Sequence, residues 1–123
     1  MNLKILSGKY QIVKLNLTNK LPKNIFNQEF YSITQTADEI SIVIDEKISI
    51  PSDNIEIGWR IIKIAGVLEF NLIGVIAKIS KVLADNSISI FVISTFNTDY
   101  ILIKERYIDS AKRILIENNY SFV

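Results

Sequence analysis

The sequence predicts an α+β fold in which two helices cover one face of an antiparallel β-sheet. Two segments in the second half of the chain, residues 74–86 and 106–119, have apolar residues at helical spacing. Between and around them lie short runs rich in β-branched and aromatic residues, which are typical of strands. The alternation of the two patterns therefore predicts mixed secondary structure rather than an all-helical or all-strand chain.

The first predicted helix, residues 74–86, has one apolar side, formed by Val75, Ile76, Ile79, Val82 and Leu83. Its charged residues, Lys78, Lys81 and Asp85, lie on the other side. The second, residues 106–119, places Ile108, Ala111 and Leu115 on one face. The predicted strands are residues 59–66, 87–95, 99–105 and 120–123, and residues 67–73 form a loop. The order β-α-β-β-α-β is the ferredoxin-like arrangement.

The first half of the chain resembles a shortened copy of the second. YQIVKL (10–15) aligns with WRIIKI (59–64) at an offset of 49, and TQTADEI (34–40) aligns with TFNTDYI (95–101) at an offset of 61. The difference, 61 − 49 = 12, is about three helical turns. We therefore expect a truncated unit at residues 1–50, without its first helix, a linker at 51–58 and a complete unit at 59–123.

Composition excludes several kinds of chemistry. The chain has no cysteine and no histidine, so disulfides, Ser-His-Asp triads and Cys/His zinc sites cannot form. Fourteen basic and thirteen acidic residues give a net charge of +1, which argues against a nucleic-acid partner. No signal peptide or long apolar span is present, so we expect a cytoplasmic protein with no membrane partner, no cofactor and no metal.

The segment from Gly66 to Glu105 resembles the ACT domain, a ferredoxin-like module that binds amino acids and other small molecules. The closer resemblance is to the subfamily that includes the arginine-sensing CASTOR proteins, which have two such units in one chain. FYSITQTADEISIVIDE (30–46) is similar to the start of that family. Three further motifs carry the resemblance: Trp59, Arg60 and Gly66; Leu68, Phe70, Leu72 and Gly74; and Ser94, Thr95, Phe96, Thr98, Asp99, Tyr100, Leu102 and Ile103.

The resemblance implies a ligand bound between ACT units, with no catalytic residues. One surface would comprise Gly66, Glu69, Thr95, Phe96 and Asp99. The other would comprise Gly74 and Val75 at the start of the first helix.

The residue types agree with such a site. A helix start offers unpaired N–H groups to a carboxylate, and an acid can accept from an ammonium or guanidinium group. The structural alternatives are that the glycines and Asp99 serve only tight turns, that Glu69 is a solvated loop residue, and that Trp59 and Phe70 belong to the core.

The expected function is therefore a regulatory module that binds a small molecule, most simply an amino acid, and acts through a homodimer and an effector protein. A dimerisation unit without a ligand is the main alternative. A small ferredoxin-like enzyme is a weaker one, because the loop at residues 66–74 has Asn71 but lacks the arginine that an acylphosphatase needs. An RNA-binding sheet would need aromatic motifs that are absent.

Overall fold

The computed structural model describes residues 1–67 and 72–123, which form two compact units. The C-terminal unit comprises Met1–Ser7 together with Arg60–Val123, and the N-terminal unit comprises Gly8–Trp59. Strand β5 (Asn54–Ile64) crosses the boundary between them. It begins inside the segment 51–58 that was expected to be a linker, because Ile55 and Glu56 pair with β2.

The C-terminal unit has the predicted βαββαβ order. After β5 come α1 (Val75–Asp85), β6 (Phe91–Ser94), β7 (Asp99–Lys104), a short 3-10 turn, α2 (Ile108–Glu117) and β8 (Ser121–Phe122). Strand β6 begins later than predicted because residues 86–88 form hydrogen bonds that complete the C-terminus of α1. Ile88 donates its N–H to the carbonyl oxygen of Leu83, and Ser87 adopts a positive φ of 60°. The α+β, ferredoxin-like fold class is thus confirmed.

An additional strand, β1 (Asn2–Ile5), extends this sheet. It pairs antiparallel to β5, with Leu3 opposite Ile64, and parallel to β8, with Leu3 opposite Phe122. The strand order in the unit is therefore β6-β7-β5-β1-β8. Because β1 lies between β5 and β8, the first and last strands of the βαββαβ motif are not adjacent.

The two helices and the sheet enclose an aliphatic core. Both helices bury the apolar face that the sequence predicts, and fully burying each such side chain stabilises a fold by about 1.5–3 kcal/mol. The most buried members of this core are Leu3, Ile62, Ile64, Ile79, Leu83, Ile101, Ile103, Ala111 and Leu115.

The N-terminal unit contains β2 (Tyr10–Leu15), β3 (Tyr31–Gln35), β4 (Ile40–Asp45) and the first part of β5, in the antiparallel order β3-β4-β2-β5. Only a 3-10 helix, Lys23–Asn27, lies where the other unit has α1. The core of the N-terminal unit consists of Val13, Leu15, Ile25, Ile40, Ile42, Ile44 and Ile50. Ile25, on the 3-10 helix, is fully buried in this core.

The β3–β4 and β6–β7 hairpins close with the same turn. The N–H of Thr36 donates to the Glu39 carbonyl oxygen at 2.9 Å, and the N–H of Thr95 donates to that of Thr98 at 2.9 Å. Each threonine hydroxyl also accepts from the residue three positions later, at 3.2 and 3.3 Å. Thr36 therefore corresponds to Thr95, an offset of 95 − 36 = 59 rather than the 61 taken from the sequence.

Within residues 1–67 and 72–123, neither helix is long and apolar enough to cross a lipid bilayer.

Candidate ligand-binding site

One buried hydrogen bond joins the β6–β7 hairpin to the end of β5. The Thr98 hydroxyl donates to the Ile64 carbonyl oxygen at 2.8 Å, and Thr98 is only 3% exposed. Ile64 is the last residue of β5, and Gly66 follows two residues later with a φ of +87°. The hairpin turn and the loop after β5 therefore lie at the same end of the C-terminal unit.

The polar residues of this hairpin have partners within the hairpin. Thr95 and Thr98 close the turn through backbone and hydroxyl groups. The Ser94 hydroxyl donates to Asp99 Oδ1 at 2.5 Å across the last residue pair of the two strands. Phe96, at the tip, is 78% exposed. Turn closure thus accounts for much of the polarity of this stretch, and Asp99 keeps a second carboxylate oxygen for another donor.

Helix α1 begins without a capping side chain. Gly74 occupies the cap position with φ 80° and ψ 12°, a left-handed conformation that glycine adopts without strain. No acidic residue lies in the first turn, and the first intrahelical bond runs from the Lys78 N–H to the Gly74 carbonyl oxygen at 3.0 Å. The first N–H groups of a helix have no intrahelical acceptor, so this terminus is suited to an anion.

A cavity of about 190 Å³ lies beside the start of α1. It is lined by the apolar side chains of Met1, Ile73 and Val75 and by two polar residues, Lys78 and Tyr120. Burial raises the pKa of the Tyr120 phenol above its usual value of 10.0, so the hydroxyl is protonated at neutral pH. We refer to this space as the Lys78 cavity.

A second depression, of about 410 Å³, lies along the exposed side of α2. It is lined by Asp109, Lys112, Arg113, Ile116 and Glu117. Arg113 and Glu117 approach to 3.5 Å, and both side chains are more than 60% exposed. An exposed ion pair of this kind contributes little energy, and we assign no function to this surface.

Six of the seven residues predicted to bind ligand lie in described loops, turns or element ends of the C-terminal unit. Gly66 follows β5, Gly74 and Val75 start α1, and Thr95, Phe96 and Asp99 form the hairpin. Glu69 lies outside the described residues. In those residues, no group of three or more acidic side chains is placed to hold a metal ion.

Two polar residues that line the Lys78 cavity were not singled out from the sequence. Lys78 was assigned only to the solvent-facing side of the helix, although its position in the first turn could have indicated an anion site. Tyr120 was read as part of a final strand, yet it precedes β8 and lines the Lys78 cavity. Only the tertiary structure places Tyr120 next to α1.

Comparison with known proteins matches each unit to a family model. A family model described as the ACT domain matches residues 54–117. A second model, for the N-terminal domain of another protein group, matches residues 8–53.

Solved structures agree with this relationship. Protein Atu0741 from Agobacterium tumefaciens is 33% identical, with a TM-score of 0.89, covering 99% of this chain and 91% of that one. Two more distant structures share the fold. The aspartokinase alpha and beta subunits are 19% identical, with a TM-score of 0.67 and coverage of 95% and 96%. The ligand-free regulatory subunit of aspartate kinase from Thermus thermophilus is 11% identical, with a TM-score of 0.63 and coverage of 94% and 95%. The chain belongs to the ACT domain family, a family of regulatory, ligand-binding modules.

Proposed function

We propose that this protein is an amino-acid-binding regulatory module that works as a homodimer, with each ligand held between ACT units of two copies. The observation that carries the proposal is the position of the hairpin turn. The Thr98–Ile64 hydrogen bond holds Asp99 near the loop that leads to the uncapped start of α1. This position supports a site in which an acid and a helix terminus suited to an anion belong to the same end of one unit.

The two charged ends of an amino acid suit these two features. The carboxylate would be bound by the N–H groups at Gly74 and Val75 of one copy, where the helix dipole also favours negative charge. The α-ammonium would be bound by Asp99 of the other copy, with Gly66, Thr95 and Phe96 beside it and Glu69 as a second acid. Asp99 is half-buried, and hydrogen bonds to charged groups are the stronger kind.

Exposed apolar side chains at this end support the homodimer. Val67 is 72% exposed, Leu72 51%, Ile73 93% and Phe96 78%. Single exposed apolar residues are common, but several from neighbouring loops indicate a surface that another protein covers. In a twofold dimer the same surface is used by both copies, which gives two equivalent ligand sites.

The proposal includes two ACT-like units in one chain, as in the CASTOR-like proteins. The shared threonine turn of the two hairpins supports an internal repeat. The 3-10 helix Lys23–Asn27 takes the place of the first helix in the N-terminal unit. Such a module would act by changing its contacts with an effector protein when the ligand binds.

A dimerisation unit without a ligand is the second candidate. One observation favours it: the hairpin's Ser94, Thr95 and Thr98 side chains already have partners within the protein. Their polarity therefore does not require a ligand.

A thermal-shift screen against the free amino acids separates the two functions. A ligand present at about 100 times its dissociation constant should stabilise the protein by roughly 2.7 kcal/mol. Stabilisation by at least one amino acid supports the proposed function. A stable dimer that none of them stabilises would favour the dimerisation unit.

A further inference from the structure

The sheet of the C-terminal unit has a second face, on the side away from its helices. The side towards α1 and α2 contains the core isoleucines of its central strands, Ile62, Ile64, Ile101 and Ile103. Because successive side chains of a strand point to opposite faces, Lys63 of β5 and Tyr100 of β7 lie on the other side. Lys4 of β1 is directly opposite Lys63, and Ile93 of β6 is directly opposite Tyr100. We refer to these four residues as the Lys63 patch.

The two lysines of the patch repel each other. Directly opposite side chains in an antiparallel pair have Cβ atoms about 4.5–5.5 Å apart, and like charges at that spacing destabilise the pair. The strand residues of this unit include one acid, Asp99, which alternates with Tyr100 and so belongs to the other face. Neither lysine forms an ion pair with a residue that the structure describes. A like-charged pair that breaks a local preference without compensation is a candidate for a functional role.

The patch combines positive charge with apolar surface. Lys63 Nζ lies 5.8 Å from the centre of the Tyr100 ring, a cation–π contact, whereas Lys4 is exposed. Lys63, Ile93 and Tyr100 are half-buried. Farther along the same face, Ile61 and Leu102 are fully buried. The patch is therefore the accessible end of this face, and a partner there would meet two cations, an aromatic ring and an aliphatic side chain.

We propose that the Lys63 patch is the docking surface for an acidic segment of the effector protein. Carboxylates of that segment pair with Lys4 and Lys63, and an apolar side chain packs against Tyr100. Charge complementarity is the argument, since a carboxylate between the two lysines replaces their repulsion with two attractions. A nucleic acid is bound through a larger array of cations than this patch offers. The inference rests on the proposed function only for the existence of an effector, and docking does not require the amino acid.

This role predicts two opposite effects of Lys4→Gln. Removing one of the two facing cations should raise the Tm of the free protein by about 1–5 °C. The same change should weaken the binding of an acidic peptide about 3- to 10-fold. The conservative variant Lys4→Arg keeps the charge and should bind the peptide as the wild type does.

The matched control for Lys4→Gln is Lys14→Gln. Lys14 is also an exposed lysine on a strand, but the residues opposite it, Ser41 and Asn54, are uncharged. Its replacement relieves no repulsion and lies outside the patch. Neither the Tm nor the affinity for the peptide should change.

The experiment titrates the isotope-labelled full chain with a short peptide of glutamate residues around one central leucine and records amide chemical shifts by NMR. A peptide with lysine in place of glutamate is the control ligand. We expect saturable shifts at Lys4, Lys63 and Tyr100 with the acidic peptide, which weaken as the salt concentration rises. The basic peptide should produce none.

Several results would overturn the inference. No saturable shifts with the acidic peptide, shifts confined to the lysines of α1, or equal affinity in the wild type and Lys4→Gln would each reject the patch as its docking surface. Tighter binding of an oligonucleotide or of anionic lipid vesicles at the same salt concentration would reject an acidic protein segment as the occupant. Amino-acid binding is measured separately by calorimetry, so a failure of this inference is distinguishable from a failure of the proposed function.

Discussion

The Thr98 hydroxyl donates a hydrogen bond of 2.8 Å to the carbonyl oxygen of Ile64, the last residue of β5. Both residues are buried, and the bond joins positions 34 residues apart in the chain. It fixes the β6–β7 hairpin beside the loop that leads into α1. The position of the hairpin relative to this loop therefore depends on a buried side chain.

Replacing Thr98 with valine should destabilise the protein by about 1–3 kcal/mol, because the buried Ile64 carbonyl oxygen loses the hydroxyl that satisfies it. Valine has nearly the same shape, so packing should change little. Urea denaturation measures the free energy of unfolding. Thr18→Val, at an exposed threonine, is the control and should change that free energy by less than about 0.5 kcal/mol. Equal values for the two variants would show that the bond is unimportant.

Gly74→Ala should destabilise the C-terminal unit by about 1–2 kcal/mol, because a non-glycine residue is strained in a left-handed conformation. The described residues leave open space around an added Cβ, so the cost comes from the backbone and not from a clash. Gly74→Asn is the matched variant and should lose less, since asparagine adopts this conformation more readily. Thermal denaturation of both variants tests the order. A smaller loss for alanine than for asparagine would contradict this explanation.

Asp99→Asn should weaken amino-acid binding by about 1.5–3 kcal/mol, the usual contribution of a hydrogen bond to a charged group. The asparagine oxygen can still accept from the Ser94 hydroxyl, so the free energy of unfolding and the dimer should be preserved. Calorimetry with the ligand that stabilises the wild type most provides the test. Asp38→Asn, in the turn of the other hairpin, should bind that ligand as the wild type does. If Asp99→Asn does so too, Asp99 serves only the turn.

Tyr120 should make stability fall at alkaline pH. In the folded state, burial raises the pKa of its phenol above the usual value of 10.0. In the unfolded chain the phenol is exposed and keeps that usual pKa. The contribution of this phenol to the free energy of unfolding is therefore constant below about pH 10. It falls as the pH rises from the pKa of the unfolded state through the pKa of the folded state. Urea denaturation at about pH 9 and about pH 11 should show a smaller loss of stability for Tyr120→Phe than for the wild type. An equal loss in both proteins would mean that other groups cause the decline.

The homodimer predicts a mass near twice 14.0 kDa by light scattering at micromolar concentration. Phe96→Ser removes a large apolar side chain that is 78% exposed and should shift the equilibrium towards the monomer. Phe26→Ser is a control at an aromatic residue of the N-terminal unit that is 53% exposed. A wild-type mass near 14.0 kDa would disprove the homodimer.

The elements with strong periodicity were predictable from the sequence. Helix α1 was predicted at residues 74–86 and observed at Val75–Asp85, because a continuous apolar stripe specifies both the helix and its buried face. The β6–β7 hairpin was equally clear, since two β-branched runs flank a polar turn. The short 3-10 helix in place of a first helix also follows from the sequence, where Pro22 and few apolar residues allow only one turn.

Features that depend on distant contacts were not predictable. Strand β1 has four residues, and its pairing with β5 and β8 involves positions far apart in the chain. The repeat was aligned two residues out of register because TQTADEI contains two threonines, and only the hydrogen bonds identify Thr36 as the equivalent of Thr95. The Lys78 cavity combines residues from both chain ends with the start of α1.

Isothermal titration calorimetry of the full chain with each free amino acid tests the central claim, that this protein binds an amino acid as a homodimer. The protein's mass is measured by light scattering in the same buffer. We expect saturable binding of at least one amino acid, with one ligand per chain and a mass near twice 14.0 kDa. If no amino acid produced binding heat and none raised the Tm, this protein would not be an amino-acid-binding module.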